Sequence, residues 1–435
     1  MFLKLLILAT FIVLFSHCAN ILGIMPTPSF SHQVVYAPLW KELSLRGHKV
    51  TAITTNPVND PKLVNLTEID ISFVYEYFAN ISELAESQIT MWNIHDIFSE
   101  FALLFGEAIL SFPPVQELLH NKTFDVVLVE FIYPEFLNFG KLYDCPTVII
   151  SSFDALALFH RALGNPSYTS LYPEIGSPFS APLDFMDRVI NTVHNWYTWY
   201  HYKYVSYPKR DELLKRYLNT TARTEELINE VDMMFLNVNP AIQTVRPVGP
   251  TTISIGGYRE PASSKPPSKD LQDFLDEATD GFIYFSLGSN VKSKSLAGPI
   301  FTAIFETLTE MPLRVLWKFE DDSLPRKPDH IKLIKWAPQE QVLSHPNIKV
   351  FVTQGGLQSL EEGIYREVPF VIIPFFADQE HNSKLMKNKG IARIVQRKPL
   401  LDKEELKSAI LEVINNPSSP VIADVVVQPP LYVVC

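Results

Sequence analysis

Short apolar runs recur along the chain and alternate with longer segments in which apolar residues have helical spacing. In the first half the runs cover residues 21–25, 49–54, 71–75, 125–130, 147–151 and 233–237. In the second half they cover residues 282–288, 314–319, 331–336, 349–353, 369–376 and 391–395. These runs are rich in Val, Ile and Phe without strict alternation, which is typical of strands buried on both faces of a parallel sheet. The pattern predicts an α/β fold of βαβ units.

A segment dense in Pro, Gly and Ser, residues 241–270, separates the two sets of runs and indicates a linker. It divides an N-terminal domain, residues 19–240, from a C-terminal domain, residues 271–416. We expect two doubly wound, Rossmann-like domains of about six strands each that face a cleft. Because ligands of such sheets bind at the carboxyl ends of the strands, polar residues directly after strands are the first functional candidates.

Composition and charge narrow the class of protein. The chain has 435 residues, 47% of them hydrophobic, so it can bury two substantial cores. Its net charge is −11 and it has no long basic run, which argues against a nucleic-acid partner. The excess of acidic residues is interpreted as a solvated surface.

Residues 1–18 have the layout of a secretory signal peptide that is cleaved after Cys18. Lys4 precedes an apolar run, and small residues follow that run; a buried strand or a membrane anchor is the alternative. Asn-x-Ser/Thr sequons, which indicate a glycoprotein, occur at Asn65, Asn80, Asn121 and Asn219. We expect the protein in the lumen of the endoplasmic reticulum, or secreted. After cleavage Cys145 and Cys435 remain, which is no disulfide framework.

No apolar segment of membrane-spanning length follows the signal. The stretch WYTWYHYKY, residues 196–204, is rich in aromatic residues that favour membrane interfaces. Two interpretations stand for it: contact with a bilayer surface, or aromatic packing within a helical insertion.

Two polar residues follow predicted strands in the N-terminal half. His32 comes after the first run, in the first turn of a helix that Ser31 is expected to cap. The helix dipole disfavours a charged imidazole there, and a neutral imidazole suits a general base. Glu130 ends another run, where it is expected to orient His32. The alternatives are a surface or capping histidine, and a glutamate that caps a helix or forms a local salt bridge.

A third candidate is KVFVTQGGLQSLEEGIYR, residues 349–366, in which a strand, a Gln-Gly-Gly turn and a helix succeed one another. The glycines allow the backbone to approach a ligand, and the helix start is a site for an anion. Ser359 and Glu362 lie three residues apart on one helical face. They are interpreted either as a capping box or as ligands of a phosphate and a ribose.

These residues resemble the UDP-glycosyltransferases of the glucuronosyl and glucosyl type, particularly the insect branch. The resemblance runs from about residue 21 to about residue 416. Its most specific part is WAPQEQVLSHPNIKVFVTQGGLQSLEEGIYREVPFVIIPFFADQ, residues 336–379, and FSLGSN and PSFSH support it. It implies the GT-B glycosyltransferase fold, in which an N-terminal domain binds the acceptor and a C-terminal domain binds the UDP-sugar.

The resemblance also implies roles for single residues. Trp336 and Gln339 would hold the uracil, and Ser289, Gln354, Gly356 and Ser359 would contact the diphosphate. Glu362 would bind the ribose, and Asp378 and Gln379 would bind the sugar hydroxyls. His32 would be the catalytic base and Glu130 its partner. No metal cluster and no cofactor are expected, since the donor is UDP-glucose or UDP-glucuronate.

The sequence departs from the family pattern at three places. Gln354 stands where histidine is frequent, although insect-type relatives commonly have Gln, and Glu130 stands where aspartate is usual. After residue 416 the chain reads PSSPVIADVVVQPPLYVVC, whereas family members continue through helices and one membrane span. This atypical tail, residues 417–435, predicts an alternative or truncated form.

The sequence therefore predicts an enzyme that transfers a hexose, glucose rather than glucuronic acid, to a hydroxyl of a small lipophilic acceptor, with inversion and without a metal. Such an activity would serve detoxification. The alternative is a non-catalytic lumenal partner that binds UDP-sugar or modulates full-length relatives as a homo- or hetero-oligomer. A carrier of lipophilic ligands would leave the donor signature unexplained.

Overall fold

Two parallel β-sheets organise the protein in a computed structural model, which describes residues 18–78, 89–121, 123–257, 266–321, 324, 326–397 and 400–416. The first sheet contains β1 (Asn20–Met25), β2 (Lys49–Thr54), β3 (Leu66–Asp70), β4 (Val126–Glu130), β5 (Thr147–Ser151), β6 (Met233–Leu236) and β7 (Thr252–Ser254). The second contains β8 (Phe282–Ser286), β9 (Arg314–Lys318), β10 (Ile331–Ile334), β11 (Ile348–Thr353), β12 (Phe370–Ile372) and β13 (Ala392–Ile394).

Helices connect these strands. Those of the N-terminal part are α1 (Phe30–Leu45), α2 (Val74–Phe78), α3 (Ile94–Leu110), α4 (Pro113–Asn121), α5 (Asn138–Tyr143), α6 (Ala157–Ala162), α7 (Phe185–His201), α8 (Tyr207–Leu218) and α9 (Thr224–Asn229). Those of the C-terminal part are α10 (Lys269–Asp276), α11 (Gly298–Thr309), α12 (Gln339–Leu343), α13 (Leu357–Tyr365), α14 (Gln379–Asn388) and α15 (Lys403–Asn415). A π-helical turn, Tyr202–Ser206, joins α7 to α8, and 3₁₀ turns occur at Pro134–Leu137 and Ser293–Ser295.

Both sheets are doubly wound, as the alternation of strands and helices predicted. The strand orders are β3-β2-β1-β4-β5-β6-β7 and β10-β9-β8-β11-β12-β13, with parallel pairing throughout. The order reverses between β1 and β4 in the first sheet and between β8 and β11 in the second. A crevice opens beyond the carboxyl ends of the strands at such points, which makes them the expected binding places.

Apolar side chains cover both faces of each sheet. In β1, Leu22 and Ile24 join one buried cluster, while Ile21 and Met25 join the cluster on the opposite face. The strands of the second sheet divide in the same way between two clusters. Burial on both faces explains why these strands appear in the sequence as continuous apolar runs rather than as alternating ones.

Two parts of the predicted layout were wrong at the edges of the first sheet. The run at residues 71–75 is not a strand; the third strand is β3, and α2 begins at Val74. Part of the predicted linker, β7, pairs with β6 and completes the first sheet. Both β3 and β7 are edge strands that solvent partly reaches, so their sequences lack the apolar run on which the prediction depended.

Several predictions concern residues outside the described ranges. These are most of the signal peptide, the sequon at Asn80, the side chain of Asn121 and the tail after residue 416. Within the described part of the chain, no single helix is long and apolar enough to cross a membrane. The bent pair Ile94–Leu110 and Pro113–His120, at 66°, passes that test by length and composition only.

Candidate functional site

A cavity of about 720 Å³ lies between the two domains, at the carboxyl ends of both sheets. The loops after β1 and β4 and the helices α1 and α3 contribute to one side, and residues at the ends of β8 and β9 and after β10, β11 and β12 line the other. All the residues predicted to bind the donor line this cavity: Ser289, Trp336, Gln339, Gln354, Gly356, Ser359, Glu362, Asp378 and Gln379. His32 lines it as well, and Glu130 lies behind His32.

His32 and Glu130 are in contact where the first sheet changes strand order. Nδ1 of His32 lies 2.7 Å from Oε1 of Glu130. The contact follows from register, because β1 and β4 are paired neighbours that end at the same edge of the sheet. The helix bearing His32 starts at Phe30, and its N-cap residue is Ser29 rather than the predicted Ser31. Neither the longer side chain of glutamate nor this shift of the cap prevents the pairing.

The carboxylate of Glu130 is held by further hydrogen bonds. The backbone N–H of Thr27 donates to Oε2 at 3.1 Å, and the hydroxyl of Tyr36 donates to Oε1 at 3.3 Å. The side chain of Glu130 is 1% exposed, against 16% for His32. Burial, with the negative charge of Glu130 beside them, raises the pKa of Tyr36 and of Tyr133 well above its usual value. Both phenols therefore stay protonated beside the carboxyl group of Glu130.

Gln354 lies at the corresponding point of the second sheet, directly after β11. Its side chain is 6% exposed, and its Oε1 accepts a hydrogen bond from the hydroxyl of Thr353 at 2.9 Å. A Cβ atom on Gly288 would lie 2.3 Å from Nε2 of Gln354, and one on Gly356 would lie 3.0 Å from it. The amide thus fits between two backbone segments that only glycine allows to approach.

The helix α13 begins at Leu357, three residues after Gln354, and its N-cap is Gly356. Ser359 therefore lies in the first turn and not at the cap, so the capping-box interpretation of Ser359 and Glu362 was wrong. Instead, Nε2 of Gln339 donates to Oγ of Ser359 at 3.1 Å and to Oε2 of Glu362 at 2.7 Å. The hydroxyl of Tyr284 donates to Oε1 of Gln339 at 3.0 Å. These contacts join residues of β8, α12 and α13 into one polar wall.

Asp378 and Gln379 follow β12 at the start of α14. Burial raises the pKa of Asp378, while the hydrogen bond from Asn382, at 2.7 Å, and the nearby His32 oppose this effect. The interaction with His32 connects the two domains across the cavity. Oε1 of Gln379 accepts hydrogen bonds from the backbone N–H groups of Phe375 and Phe376, at 2.9 and 3.2 Å. A sugar hydroxyl would therefore meet the NH₂ group of Gln379.

Trp336 and Ser289 lie where the domains meet. The indole of Trp336 is 54% exposed and packs edge-to-face on Phe30, with ring centroids 4.8 Å apart. Oγ of Ser289 is 3.4 Å from Oδ1 of Asn290, whose Nδ2 donates to Ser29 of the first domain at 3.0 Å. An exposed aromatic face at the cavity margin is suited to stacking on a planar base.

Lys318 is a cavity residue that the sequence analysis missed. It ends β9, is 7% exposed, and its Nζ donates to the carbonyl of Gly288 at 2.9 Å and to Oε1 of Glu320 at 3.0 Å. The ammonium also lies 5.7 Å from the ring centroid of Trp336. Lys318 is a polar residue at the end of a strand, which is where functional residues were sought. It was missed because the predicted apolar run extended to Phe319 and so included Lys318 in the strand.

The remaining predictions concern metal ligands and the glycosylation sequons. Among the described residues, no group of three or more His, Cys, Asp or Glu side chains is arranged to hold a metal ion. Nδ2 of Asn65, the atom that glycosylation would modify, donates to the carbonyl of Ser44 at 3.2 Å. Asn219 is exposed at the C-terminal end of α8.

Two doubly wound domains with nucleotide-binding geometry on facing strand ends define the GT-B class of glycosyltransferases. Among solved structures, a UDP-glucosyltransferase from Polygonum tinctorium superposes with a TM-score of 0.61 at 15% identity, covering 94% of each chain. The fold class predicted from the sequence is thereby confirmed.

A sequence profile described as "UDP-glucoronosyl and UDP-glucosyl transferase" matches residues 6–421. The chain belongs to this family, and it is a glycosyltransferase. It is 31% identical to UDP-glucosyltransferase 2 of Dactylopius coccus over 429 residues, which are 95% of this chain and 81% of the relative. It is also 31% identical to UDP-glycosyltransferase UGT4 of the same insect over 414 residues, 91% of this chain and 79% of the relative. The predicted family resemblance is confirmed.

Proposed function

We propose that the protein transfers glucose from UDP-glucose to a hydroxyl of a small lipophilic acceptor, with inversion, and that His32 is the catalytic base. The observation that carries the proposal is the contact of 2.7 Å between His32 Nδ1 and Glu130 Oε1 beside an apolar part of the cavity. This part faces the residues predicted to bind the donor, so an acceptor and a nucleotide sugar would meet at His32.

The contact fixes which ring nitrogen is basic. An ionised carboxylate only accepts hydrogen bonds, so Nδ1 of His32 carries the proton and Nε2 keeps a lone pair. Nε2 takes the proton of the acceptor hydroxyl as its oxygen attacks the anomeric carbon. The carboxylates of Glu130 and Asp378 stabilise the imidazolium that forms. The bond from the anomeric carbon to UDP breaks on the opposite side, which inverts that carbon.

Charge develops on the β-phosphate as UDP leaves. The first N–H groups of α13, the amide of Gln354 and the ammonium of Lys318 are donors on the side of the cavity predicted for the diphosphate. The helix dipole adds positive potential at the same end. Preorganised donors of this kind supply the charge stabilisation that a metal ion supplies elsewhere. We therefore expect turnover to persist in a chelating buffer.

Glucose is favoured over glucuronate by the charges around the cavity. Lys318 and Arg210 are the cavity-lining lysine and arginine among the described residues. Lys318 is held by Gly288 and Glu320, and Arg210 by the buried carboxylate of Glu135. A glucuronate carboxylate near Asp378 would lack a cation and would meet a like charge. We expect kcat/KM for UDP-glucose to exceed that for UDP-glucuronate by about tenfold or more.

The test of this function is His32→Ala. Removing a general base lowers the rate by about 10²–10⁴-fold, so we expect kcat with UDP-glucose and a phenol to fall by that amount. UDP binding, measured by calorimetry, should stay within about twofold, because the predicted diphosphate residues belong to the other domain. Turnover equal to that of the unmodified chain would remove His32 from the mechanism. Glu42→Gln, an exposed helix-surface carboxylate paired with Arg46, is the matched control.

We also propose that one face of α7 and the following π turn rests on a lipid surface. Aromatic side chains there are exposed, including Phe185 at 77%, Trp196 at 65% and Tyr200 at 56%. Residues 188–210 contain no Asp or Glu in a chain whose net charge is −11, and besides Arg210, which is buried in an ion pair with Glu135, they include Arg188, Lys203 and Lys209. This charge and the exposed Trp and Tyr rings are complementary to the phosphate level of a membrane.

A further inference from the structure

The N-terminal part of the cavity is a largely apolar chamber beside His32. One face of α3 contributes Phe98, Phe101, Ala102 and Phe105 to its wall. Phe131, Phe153, Leu156 and Ile175 contribute further apolar side chains. The aromatic ring of Phe153 packs edge-to-face on the imidazole of His32, with centroids 5.4 Å apart. An acceptor bound here has an apolar body and presents its reacting hydroxyl to His32.

Buried polar groups interrupt this wall. Arg210 of α8 lines the chamber and is 1% exposed. Its Nη1 donates to Oε2 of Glu135, which is fully buried, and its Nε donates to Oγ of Ser206 at 3.2 Å. Ser99, also in the wall, donates to the same oxygen of Ser206 at 2.8 Å. His95 lines the chamber one helical turn before Ser99.

This polar group has hydrogen-bonding capacity that the described residues do not use. A guanidinium has five N–H donors, and the hydrogen bonds found for Arg210 use Nε and Nη1. Nε2 of His95, which lines the chamber, is buried without a hydrogen-bond partner among the described residues. Buried polar atoms are nearly always paired in native proteins, so unpaired ones beside a cavity point to a ligand.

The position of this group relative to the base follows from Tyr133. The hydroxyl of Tyr133 accepts a hydrogen bond from Thr27, whose backbone N–H donates to Glu130, and the charges of Glu135 and Arg210 act on the same phenol, so Tyr133 lies near both pairs. Five residues of extended chain, which separate Glu130 from Glu135, span at most about 17 Å. His32 and Arg210 line the same cavity, so one elongated molecule that fills it would contact both.

We propose that Arg210, with His95 beside it, binds a neutral oxygen at the end of the acceptor that lies opposite the glycosylated hydroxyl. The inference rests on the proposed function and names its acceptor class: elongated fused-ring alcohols or phenols with a distal carbonyl. A neutral carbonyl fits better than a carboxylate, because Glu135 already neutralises Arg210. A second buried anion would remain uncompensated.

The test compares two probes that differ only in the distal oxygen, estrone and 17-deoxyestrone. Their dissociation constants are measured by tryptophan fluorescence with the full chain, and their kcat/KM values with UDP-glucose. One hydrogen bond from a charged donor should make estrone bind about 10–100-fold more tightly. Equal binding of the two probes would overturn the inference. If estrone is preferred in binding but neither probe is glucosylated, the proposed function fails and the distal site stands.

The variant that removes the site is Arg210→Met with Glu135→Leu. Replacing both partners of a buried ion pair by apolar residues of similar volume usually preserves the fold. The ratio of the two dissociation constants should then fall to about one, and an unchanged ratio would overturn the inference. Arg210→Lys keeps the ion pair but lacks the second NH₂ group of the guanidinium. It should therefore lower the ratio of the two dissociation constants even if the double variant does not fold. Phe98→Ala, in the same wall, should weaken both probes equally.

Discussion

Gly288 and the side chain of Gln354 are packed against one another at the carboxyl ends of β8 and β11. Gly288 has a φ of +72°, a conformation that residues with a Cβ rarely adopt. Its missing side chain leaves room for the buried amide of Gln354, which faces the predicted diphosphate position. Gly288 and Gln354 both lie in motifs that the sequence analysis identified. Their contact was not predictable, because it depends on the pairing of two strands that are distant in the chain.

Gly288→Ala should therefore damage donor binding more than acceptor binding. The new Cβ would lie 2.3 Å from Nε2 of Gln354 and would also require a strained backbone, at a cost of about 1–3 kcal/mol. We expect the dissociation constant for UDP to rise by about tenfold, as measured by calorimetry. Gly298→Ala, where an added Cβ would meet nothing within 4 Å, is the control. Unchanged UDP affinity would show that the Gln354 amide does not contribute to the site.

Single residues also show where sequence reasoning stops. The choice of His32 and Glu130 followed from their position after strands, and the structure brings the two into contact. The network of Gln339, Ser359 and Glu362 was not predictable, because the Ser-x-x-Glu spacing is shared with a capping box and only the position of Gly356 decides between them. Arg210 lay in a helical segment with no strand before it, so no rule pointed to it.

The helix α7 and its π turn have an inner side that reaches the cavity and an outer side that exposes apolar residues. The inner side reaches the acceptor chamber through Tyr202. The outer side exposes apolar residues along one stripe: Phe185, Met186, Val189, Val193, Trp196, Tyr200 and Tyr204. Lipophilic acceptors partition into membranes, so a lipid-facing outer side would bring the chamber close to its acceptors. The aromatic stretch was visible in the sequence, but its exposure was not.

Trp196→Ser with Tyr200→Ser should weaken binding to vesicles of phosphatidylcholine and phosphatidylserine by about tenfold or more, since each buried aromatic side chain contributes roughly 1.5–3 kcal/mol. Co-sedimentation measures the effect. Val64→Ser, at a residue that is 85% exposed away from this stripe, is the control and should bind as before. Equal binding of the double variant would contradict lipid contact. A dimer that the same substitutions dissociate would identify a second copy as the occupant.

At the scale of elements, the central strands and the edge strands of the second sheet were predictable, but the edge strands of the first sheet were not. The strands β2 and β5 begin and end at the predicted residues, because burial on both faces makes each a continuous apolar run. The edge strands β3 and β7 were missed, since LTEID and TIS mix polar with apolar residues. Pairing with a neighbour stabilises them, and this pairing leaves no local signal in the sequence.

The two domains meet through individual polar contacts. Nε2 of Gln358 donates to the carbonyl of Ser152 at 3.0 Å, and Nδ1 of His381 lies 2.6 Å from the carbonyl of Phe179. Close to the second contact is a buried ionic group in which Asp154 pairs with His160 at 3.0 Å and with Arg246 at 2.7 Å. Polar interfaces between domains are compatible with relative domain motion, which would let two substrates enter the cavity.

The stability of the whole molecule should depend on pH through Glu174. Burial raises the pKa of this carboxyl from 4.5 to about 7, against hydrogen bonds from the backbone N–H groups of Ala157 and Ile175. Stability from a raised pKa is fully present below 4.5 and is lost as the pH rises through about 7. We expect the free energy of unfolding to fall by on the order of 3 kcal/mol over this window. Glu174→Gln should flatten that part of the urea-denaturation profile, and an unchanged slope would contradict the assignment.

The first sheet is complete at β7 and the second begins only after α10, although Ile242, which precedes β7, packs in the core of the second sheet. Every cavity-lining residue up to Asn237 belongs to the first domain, and every one from Tyr284 onward belongs to the second. A recombination point between Ser254 and Lys269 would cut neither sheet. If the first part binds the acceptor and the second the UDP-sugar, as the family resemblance implies, exchange of the first part among relatives would be inherited as a change in what is glycosylated, while the transferred sugar stays the same.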